Sequence, residues 1–217
     1  MTLRLYNYFR SSSSYRVRIA LNLKGLDYEY LPVHLLRAGG EQYADAFVAI
    51  NAQSRVPVLM DEQKMLAQSL AIIEYLDETR PSPPLLPPSP ERRAYVRQIA
   101  LTIACDMQPL ANLGVLNYLT RDLGLTDEAR NAWISRWTQR GLAALEAQIS
   151  ASPYRGMFCH GDAPTVADCC LVPQLFNAAR FGVDLAPYPT LRAIDAACAA
   201  LPAIQRAHPE QQPDAAR

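Results

Sequence analysis

The chain has no excess charge of either sign: among its 217 residues, 21 basic side chains balance 21 acidic ones. Without a basic excess or a block of like charges there is no electrostatic footprint for nucleic acid or for an anionic membrane surface. Cysteine is scarce, and Cys105, Cys159, Cys169, Cys170 and Cys198 form an odd set with no C-x-x-C pair. That spacing gives no disulfide framework and points to reduced thiols in a reducing compartment. His34, His160 and His208 are scattered without metal-ligand spacing, so no metal centre is expected. The chain lacks G-x-G-x-x-G, P-loop and G-x-S-x-G patterns, which removes the sequence support for nucleotide binding and for a hydrolase elbow. Its opening residues lack a signal-peptide apolar region, and no uninterrupted run of bilayer length is read, so the expected address is the cytoplasm.

What is present is a 50% hydrophobic composition with 19% charged residues, enough apolar surface for a core that needs neither metal nor disulfide. The clearest boundary is residues 81–90, Pro-Ser-Pro-Pro-Leu-Leu-Pro-Pro-Ser-Pro, because proline lacks an amide donor and interrupts both helix and interior strand. Its paired leucines predict a docked crossing instead of a free tether. Residues 1–80 are therefore read as one domain and 91–217 as a second.

In the first domain, Leu3–Tyr8 reads as a strand, Tyr15–Lys24 as a helix closed by Gly25, and Tyr28–Val33 as a second strand. A weaker helix is expected over Glu41–Ile50. Val56–Met60 and Lys64–Ala67 flank a polar Asp61–Gln63 turn as a hairpin, and Ser69 opens a helix. The order β-α-β-α-β-β-α is that of a thioredoxin-like domain, a mixed sheet with helices on both faces. After the linker there is no convincing strand. Arg92–Leu119 and Glu128–Ile149 carry apolar residues at three- and four-residue spacing, predicting an all-α bundle. Within it Thr165-Val-Ala-Asp168 fits a capping box at the start of a buried helix. The polar, proline-containing tail from Ala207 is expected to be poorly ordered.

Three stretches have the composition of a binding site. Phe9-Arg-Ser-Ser-Ser-Ser-Tyr-Arg-Val-Arg18 lies where the first strand turns into the first helix, gathering free amides, hydroxyls and three arginines at the positive end of a helix. Such a place stabilises an anion, and a serine hydroxyl there can donate to a thiolate; an ordinary serine cap with solvated arginines is the plain alternative. Gln53-Ser-Arg-Val-Pro-Val-Leu59 holds an X-Pro bond of the kind that takes the cis form at low cost, and Gln68-Ser69 opens a helix with an amide, a hydroxyl and free backbone N–H groups suited to a small carboxylate. Gln108 and Asn112 lie four apart on one helix face, which reads either as a binding face or as the polar outer face of an amphipathic helix.

Ser11-Ser-Ser-Ser-Tyr-Arg-Val-Arg-Ile-Ala-Leu21 resembles the signature of the zeta-class glutathione transferase family, with Ser13 standing where that family usually has cysteine. The likeness continues through Val56-Pro57, Gln68-Ser69, the Gln108–Asn112 stretch, Ala179-Arg-Phe-Gly-Val-Asp-Leu-Ala-Pro-Tyr-Pro189 and the tail His208-Pro-Glu-Gln-Gln-Pro213. It implies a glutathione transferase fold and glutathione as cofactor. Ser11 or Ser12 would stabilise the glutathione thiolate. Gln42, Val56, Pro57, Gln68, Ser69, Gln108 and Asn112 would hold the tripeptide, and Arg10 and Arg180 would hold the carboxylates of a second substrate. The resemblance further implies a homodimer and cis-trans isomerisation of a maleyl diketo acid. The alternative it leaves open is a transferase that conjugates or dehalogenates small electrophiles such as α-halo acids.

Overall fold

A computed structural model describes residues 3–215. The chain divides into two compact units, one running to Leu85 and resuming from Ala199, the other spanning Leu86–Cys198. By their contacts, the residues from Ala199 group with the first unit, whereas the expected second domain runs from 91 to 217.

In the first unit β1 (Leu3–Asn7) alternates buried and half-buried residues, as a strand between two layers must. It pairs in parallel with β2 (Tyr28–Pro32) and antiparallel with β3 (Val58–Asp61), which pairs antiparallel with β4 (Lys64–Ala67). The sheet order is β2-β1-β3-β4, with α1 (Ser12–Leu23), α2 (Asp45–Val48) and α3 (Ser69–Thr79) completing the expected order. Helices α1 and α3 pack together, contributing Val17, Ile19, Leu21, Ile72, Ile73 and Leu76, all fully buried. Tyr8, Val33, Phe47, Val56 and Val58 make a second apolar cluster, against which Tyr6 and Phe9 pack.

Only four residues of the expected second helix, Asp45–Val48, are α-helical. Two single 3-10 turns, Arg37–Gly39 and Glu41–Tyr43, precede it, and Ala44, extended at φ -67 and ψ 141, separates the second turn from the helix, so no continuous helix runs from Glu41. In the linker Leu85 and Leu86 are buried, and the Leu85 amide donates to Asp77 of the same unit at 2.7 Å. Lys24, buried at the end of α1, pairs with Asp77 at 2.7 Å and donates to the Arg80 and Pro83 carbonyls at 2.8 Å each.

The helical unit is built on α4 (Pro90–Leu101), α5 (Leu113–Asn117), α6 (Asp127–Ser150) and α7 (Val166–Arg180). Helix α8 (Pro189–Ala199) follows, and α9 (Pro202–Ala207) lies in the first unit, packed on α1. Between α4 and α5 the chain widens to a π-turn over Thr102–Met107 and tightens to a 3-10 turn over Gln108–Ala111. Pro109 carries no N–H to bond the carbonyl four residues back, so the α-pattern cannot continue through it. Along α6, Ile134, Thr138, Leu142, Leu145 and Ile149 recur on the buried side. Gly141 lets Met107 lie against that helix, since a Cβ there would fall 2.5 Å from the methionine side chain. Pro90–Asp122 holds a window apolar enough, by length and composition only, to cross a membrane; core helices of soluble proteins meet the same criterion, and Asp106 keeps the stretch from being an uninterrupted apolar run.

Candidate active site

Helix α1 begins with a serine cap and no acid in its first turn. Ser11 is extended, its Oγ accepts the Ser14 amide at 3.2 Å, and its own amide donates to the Tyr8 carbonyl at 3.0 Å. The Ser14 hydroxyl is turned inward, where it accepts the Tyr8 amide at 3.5 Å. Ser11, Ser12 and Ser13 remain half-buried at the positive end of the helix. Because the Ser11 oxygen accepts the Ser14 amide, its O–H proton remains for a further acceptor, and accepting one bond polarises the hydroxyl as a donor.

The three arginines near this turn do different things, which corrects the expectation that they converge on one anion. Arg10 is half-buried, with its guanidinium 5.6 Å from the Phe9 ring centroid. Arg18 is fully buried and spends its donors on the Asn7 side chain and on the carbonyls of Tyr8, Phe9 and Ala207, at 2.8–3.3 Å. Burial pulls its pKa down, against the opposing fields of Tyr30, Tyr28, Tyr15 and Asp214. Arg16 is also buried and donates to the Ser69 hydroxyl at 3.2 Å, joining α1 to the start of α3.

Helix α3 has no side-chain cap. The residue before it, Gln68, sits at φ 70, a left-handed conformation that a non-glycine residue holds only under constraint. Its Nε2 donates to Gln53 Oε1 at 2.8 Å. Uncapped amides, the Ser69 hydroxyl and the Arg16 guanidinium together make a corner suited to a carboxylate.

Val56-Pro57 is a cis peptide immediately before β3. The β1–β3 register, Tyr6 opposite Val58, carries Val56 into the cluster that holds Tyr8, so this segment lies beside the β1–α1 turn. Gln42 is buried, donates weakly to the Leu35 carbonyl at 3.4 Å, and has a buried Oε1 without a hydrogen-bond partner among the described residues. A buried acceptor left unpaired is costly, and an N–H from a bound molecule would satisfy it. Gly40 makes room for that carboxamide: a Cβ at Gly40, where φ is 114, would fall 2.6 Å from Gln42 Nε2.

The remaining expected site residues belong to the helical unit. Gln108 is half-buried in the 3-10 turn. Asn112 is extended and caps α5, its Oδ1 accepting the Val115 amide at 2.9 Å and its Nδ2 donating to the Pro109 carbonyl at 2.7 Å. The expected shared helix face is therefore corrected, because the helix is broken between the two. Arg180 is the exposed last residue of α7; it donates to Asn177 at 2.8 Å and its guanidinium lies 4.3 Å from the Phe181 ring centroid. The cysteines are free thiols, and burial pushes those of Cys159, Cys169 and Cys198 up, which keeps them protonated and unreactive. Arg16 and Gln53 lie in the stretches that the sequence singles out, but no role was expected of either one; the structure brings them to the α3 start through Ser69 and Gln68. Their residue types are ordinary, and only the tertiary pairing with Ser69 and Gln68 marks them.

Residues 1–78 match the glutathione S-transferase N-terminal domain and residues 127–209 the glutathione S-transferase C-terminal domain. The chain is 49% identical to a maleylpyruvate isomerase from a Ralstonia species, covering 99% of this chain and 100% of that one. It is 51% identical to a maleylacetoacetate isomerase from Pseudomonas aeruginosa, with 98% of each covered. A solved holo structure of a bacterial zeta-class maleylpyruvate isomerase superposes with a TM-score of 0.94 at 49% identity, covering 97% of this chain and 99% of that one. A maleylacetoacetate isomerase from Anaeromyxobacter dehalogenans, solved with glutathione in its active site, gives a TM-score of 0.87 at 50% identity over 99% and 98% of the two chains. With its two-part fold, its open helix starts and these relatives, the chain belongs to the glutathione S-transferase family, in its zeta class.

Proposed function

We propose that this chain is a glutathione-dependent cis-trans isomerase that converts a maleyl diketo acid, maleylacetoacetate or maleylpyruvate, to its fumaryl isomer. The observation that carries the reading is the α1 start: a serine cap with a donor to spare and no acid in the first turn, beside the Val56 segment. Glutathione, when bound, supplies a thiol that adds to the cis double bond and leaves after rotation about the resulting single bond, so the tripeptide is regenerated.

The chain's own residues hold and polarise. The Ser11 hydroxyl donates to the sulfur, assisted by Ser12 and the helix end, and so lowers the thiol pKa. Val56 offers its backbone to the cysteinyl portion, with Pro57 fixing that segment. The γ-glutamyl carboxylate goes to the corner made by Gln68, Ser69 and Arg16, and Gln42 takes the glycine end. Gln108 and Asn112 contribute from the helical unit. Arg10 and Arg180 bind the substrate carboxylates and stabilise the enolate-like charge that develops on addition. A homodimer and a cytoplasmic address are part of the same proposal. The dimer is supported by the family and by an apolar window in Pro90–Asp122 that is only 22% buried in the single chain.

The test is to supply maleylacetoacetate or maleylpyruvate with and without glutathione, and to follow the fumaryl product together with the remaining free thiol. Product that requires glutathione while thiol stays constant supports the isomerase. Thiol consumed with α-halo acids or other electrophiles, without isomerisation of either substrate, would replace it with a conjugating transferase.

A further inference from the structure

The tail, expected to be poorly ordered, is instead tied down through Asp214. Helix α9 packs on α1, with Asn22 Nδ2 donating to the Ala203 carbonyl at 3.0 Å and Arg18 Nε to the Ala207 carbonyl at 3.1 Å. The His208 ring stands edge-on to Tyr15 at 6.1 Å, and Gln212 Nε2 donates back to the carbonyls of Arg206 and His208 at 2.8 Å each. The segment then delivers Asp214 to the β1–α1 turn. One carboxylate oxygen accepts the Phe9 amide at 3.1 Å and the other accepts the Tyr30 hydroxyl at 2.5 Å. Burial and that hydrogen bond to Asp214 hold the Tyr30 hydroxyl well above its ordinary pKa, so it stays protonated and donating.

Phe9 is gripped from both sides: Asp214 takes its N–H, and Arg18 takes its carbonyl at 2.8 Å and that of Tyr8 at 3.3 Å. The Phe9 carbonyl belongs to the peptide that leads into Arg10, and Tyr8 is the residue whose carbonyl accepts the Ser11 amide. We propose that the tail His208–Asp214 is a strap that sets the β1–α1 turn, with Asp214 as a positioning residue for Arg10 and Ser11. Asp214 acts through the Phe9 peptide and touches neither thiol nor substrate. The inference rests on the reading that Ser11 stabilises the glutathione thiolate. It adds that the C-terminal residues, about two hundred positions away in sequence, fix where that hydroxyl points.

The test compares Asp214→Ala, Asp214→Asn and Lys24→Met in the full-length chain. Asparagine can still accept from Phe9 and donate to the Tyr30 oxygen. Lys24→Met destabilises the far end of α1 by breaking the buried pair with Asp77, and serves as the stability control. Three quantities are read: the pKa of the bound glutathione thiol from its thiolate absorbance, kcat and KM for the maleyl substrate, and Tm. The strap predicts that Asp214→Ala raises the bound thiol pKa towards that of free glutathione and lowers kcat by about tenfold, the scale of a small misplacement in a preorganised site. Asp214→Asn should recover most of both. Lys24→Met should change neither, despite a comparable fall in Tm. Should Asp214→Ala not accumulate as folded protein, Asp214→Ser is measured against the same criterion. A wild-type thiol pKa and kcat in the alanine or serine variant overturns the strap while leaving the role of Ser11 standing. A bound thiol pKa in the wild-type protein equal to that of free glutathione overturns both, and so separates the two failures.

Discussion

Two helix starts use the same local device and come to opposite ends. At α7, Thr165 and Asp168 form the expected capping box. The fully buried carboxylate accepts the Thr165 amide at 2.7 Å, the Thr165 hydroxyl at 2.9 Å and the Cys159 amide at 2.8 Å. At α1, Ser11 caps the amide of Ser14, but no acid stands in the first turn and Ser12 and Ser13 stay half-buried. The positive end of α7 is satisfied by the chain itself, whereas that of α1 is left for an anion from outside. Helix α8 follows the first pattern by borrowing Glu146, whose oxygens accept the Thr190 and Leu191 amides at 3.0 Å each. A hydroxyl cap in sequence therefore does not mark a site; a hydroxyl cap whose helix lacks an internal anion does.

The sharpest way to break the comparison is to remove the anion from the closed start. Asp168→Ala strands three buried donors and should destabilise the protein by about 3 kcal/mol or more, read as a lowered denaturant midpoint. The loss should fall on stability, with glutathione affinity of the remaining folded fraction unchanged. A loss below about 1 kcal/mol would mean that water replaces the carboxylate, and that α7 is as open as α1.

At the open start the same kind of change should fall on activity instead. Ser11→Gly keeps an acceptable helix cap, so stability should drop by only a few tenths of a kcal/mol. Isomerase kcat should nonetheless fall by about a hundredfold, as when one preorganised donor to a developing anion is lost. Ser12→Ala should show a smaller loss. If Ser12→Ala instead carries the hundredfold loss, the two serines exchange roles and the polarised cap is not the donor.

The difference between these starts was partly visible in the residues. Thr165 with Asp168 three residues on is a complete local pattern, so the capping box could be read without a fold. The strand alternation, the hairpin and the burial of the linker leucines were legible for the same reason: each is written in near neighbours. The inward turn of Arg18, the Arg16–Ser69 bond and the tail were not. Arg16 and Arg18 look alike in sequence, and only the completed fold sends one to a serine and the other to four different acceptors. A polar, proline-containing tail reads as loose because its anchors, Phe9 and Tyr30, lie about two hundred residues away. The second helix is short because Ala44 is extended and cuts the turn at Glu41–Tyr43 from Asp45–Val48, a break that apolar periodicity does not encode.

Supplying the missing acid at the open start sharpens the comparison further. Ser13→Asp places a carboxylate in the first turn of α1, where it interacts favourably with the helix end, by about 0.3–1 kcal/mol. Stability should hold or rise slightly. The bound glutathione thiol pKa should rise by about one unit and kcat should fall by roughly tenfold, because the introduced charge competes for the field that favours the thiolate. An unchanged thiol pKa would mean that the helix end contributes nothing and that Ser11 acts alone.

The smallest effect comes from a carboxylate to which no side chain or amide is seen to donate among the described residues. Asp195, within α8, is half-buried, and burial alone raises its pKa from the ordinary 3.8 to about 6. It binds its proton more tightly folded than unfolded, so the folded state gains from that proton at low pH and loses the gain as pH rises from about 4 through 6. A rise of that size corresponds to about 3 kcal/mol, which partial exposure to solvent reduces to about 1. Asp195→Asn should thus be more stable than the wild type by about 1 kcal/mol at about pH 7–8 and equal to it below about pH 4, as measured by Tm across that range. Asp168 shows the contrast: burial raises its pKa too, but the Cys159 and Thr165 amides pull the other way, so its charge is partly compensated where that of Asp195 is not. A stability advantage for Asp195→Asn that did not shrink with acidification would trace to packing instead of charge, and would remove Asp195 from the comparison.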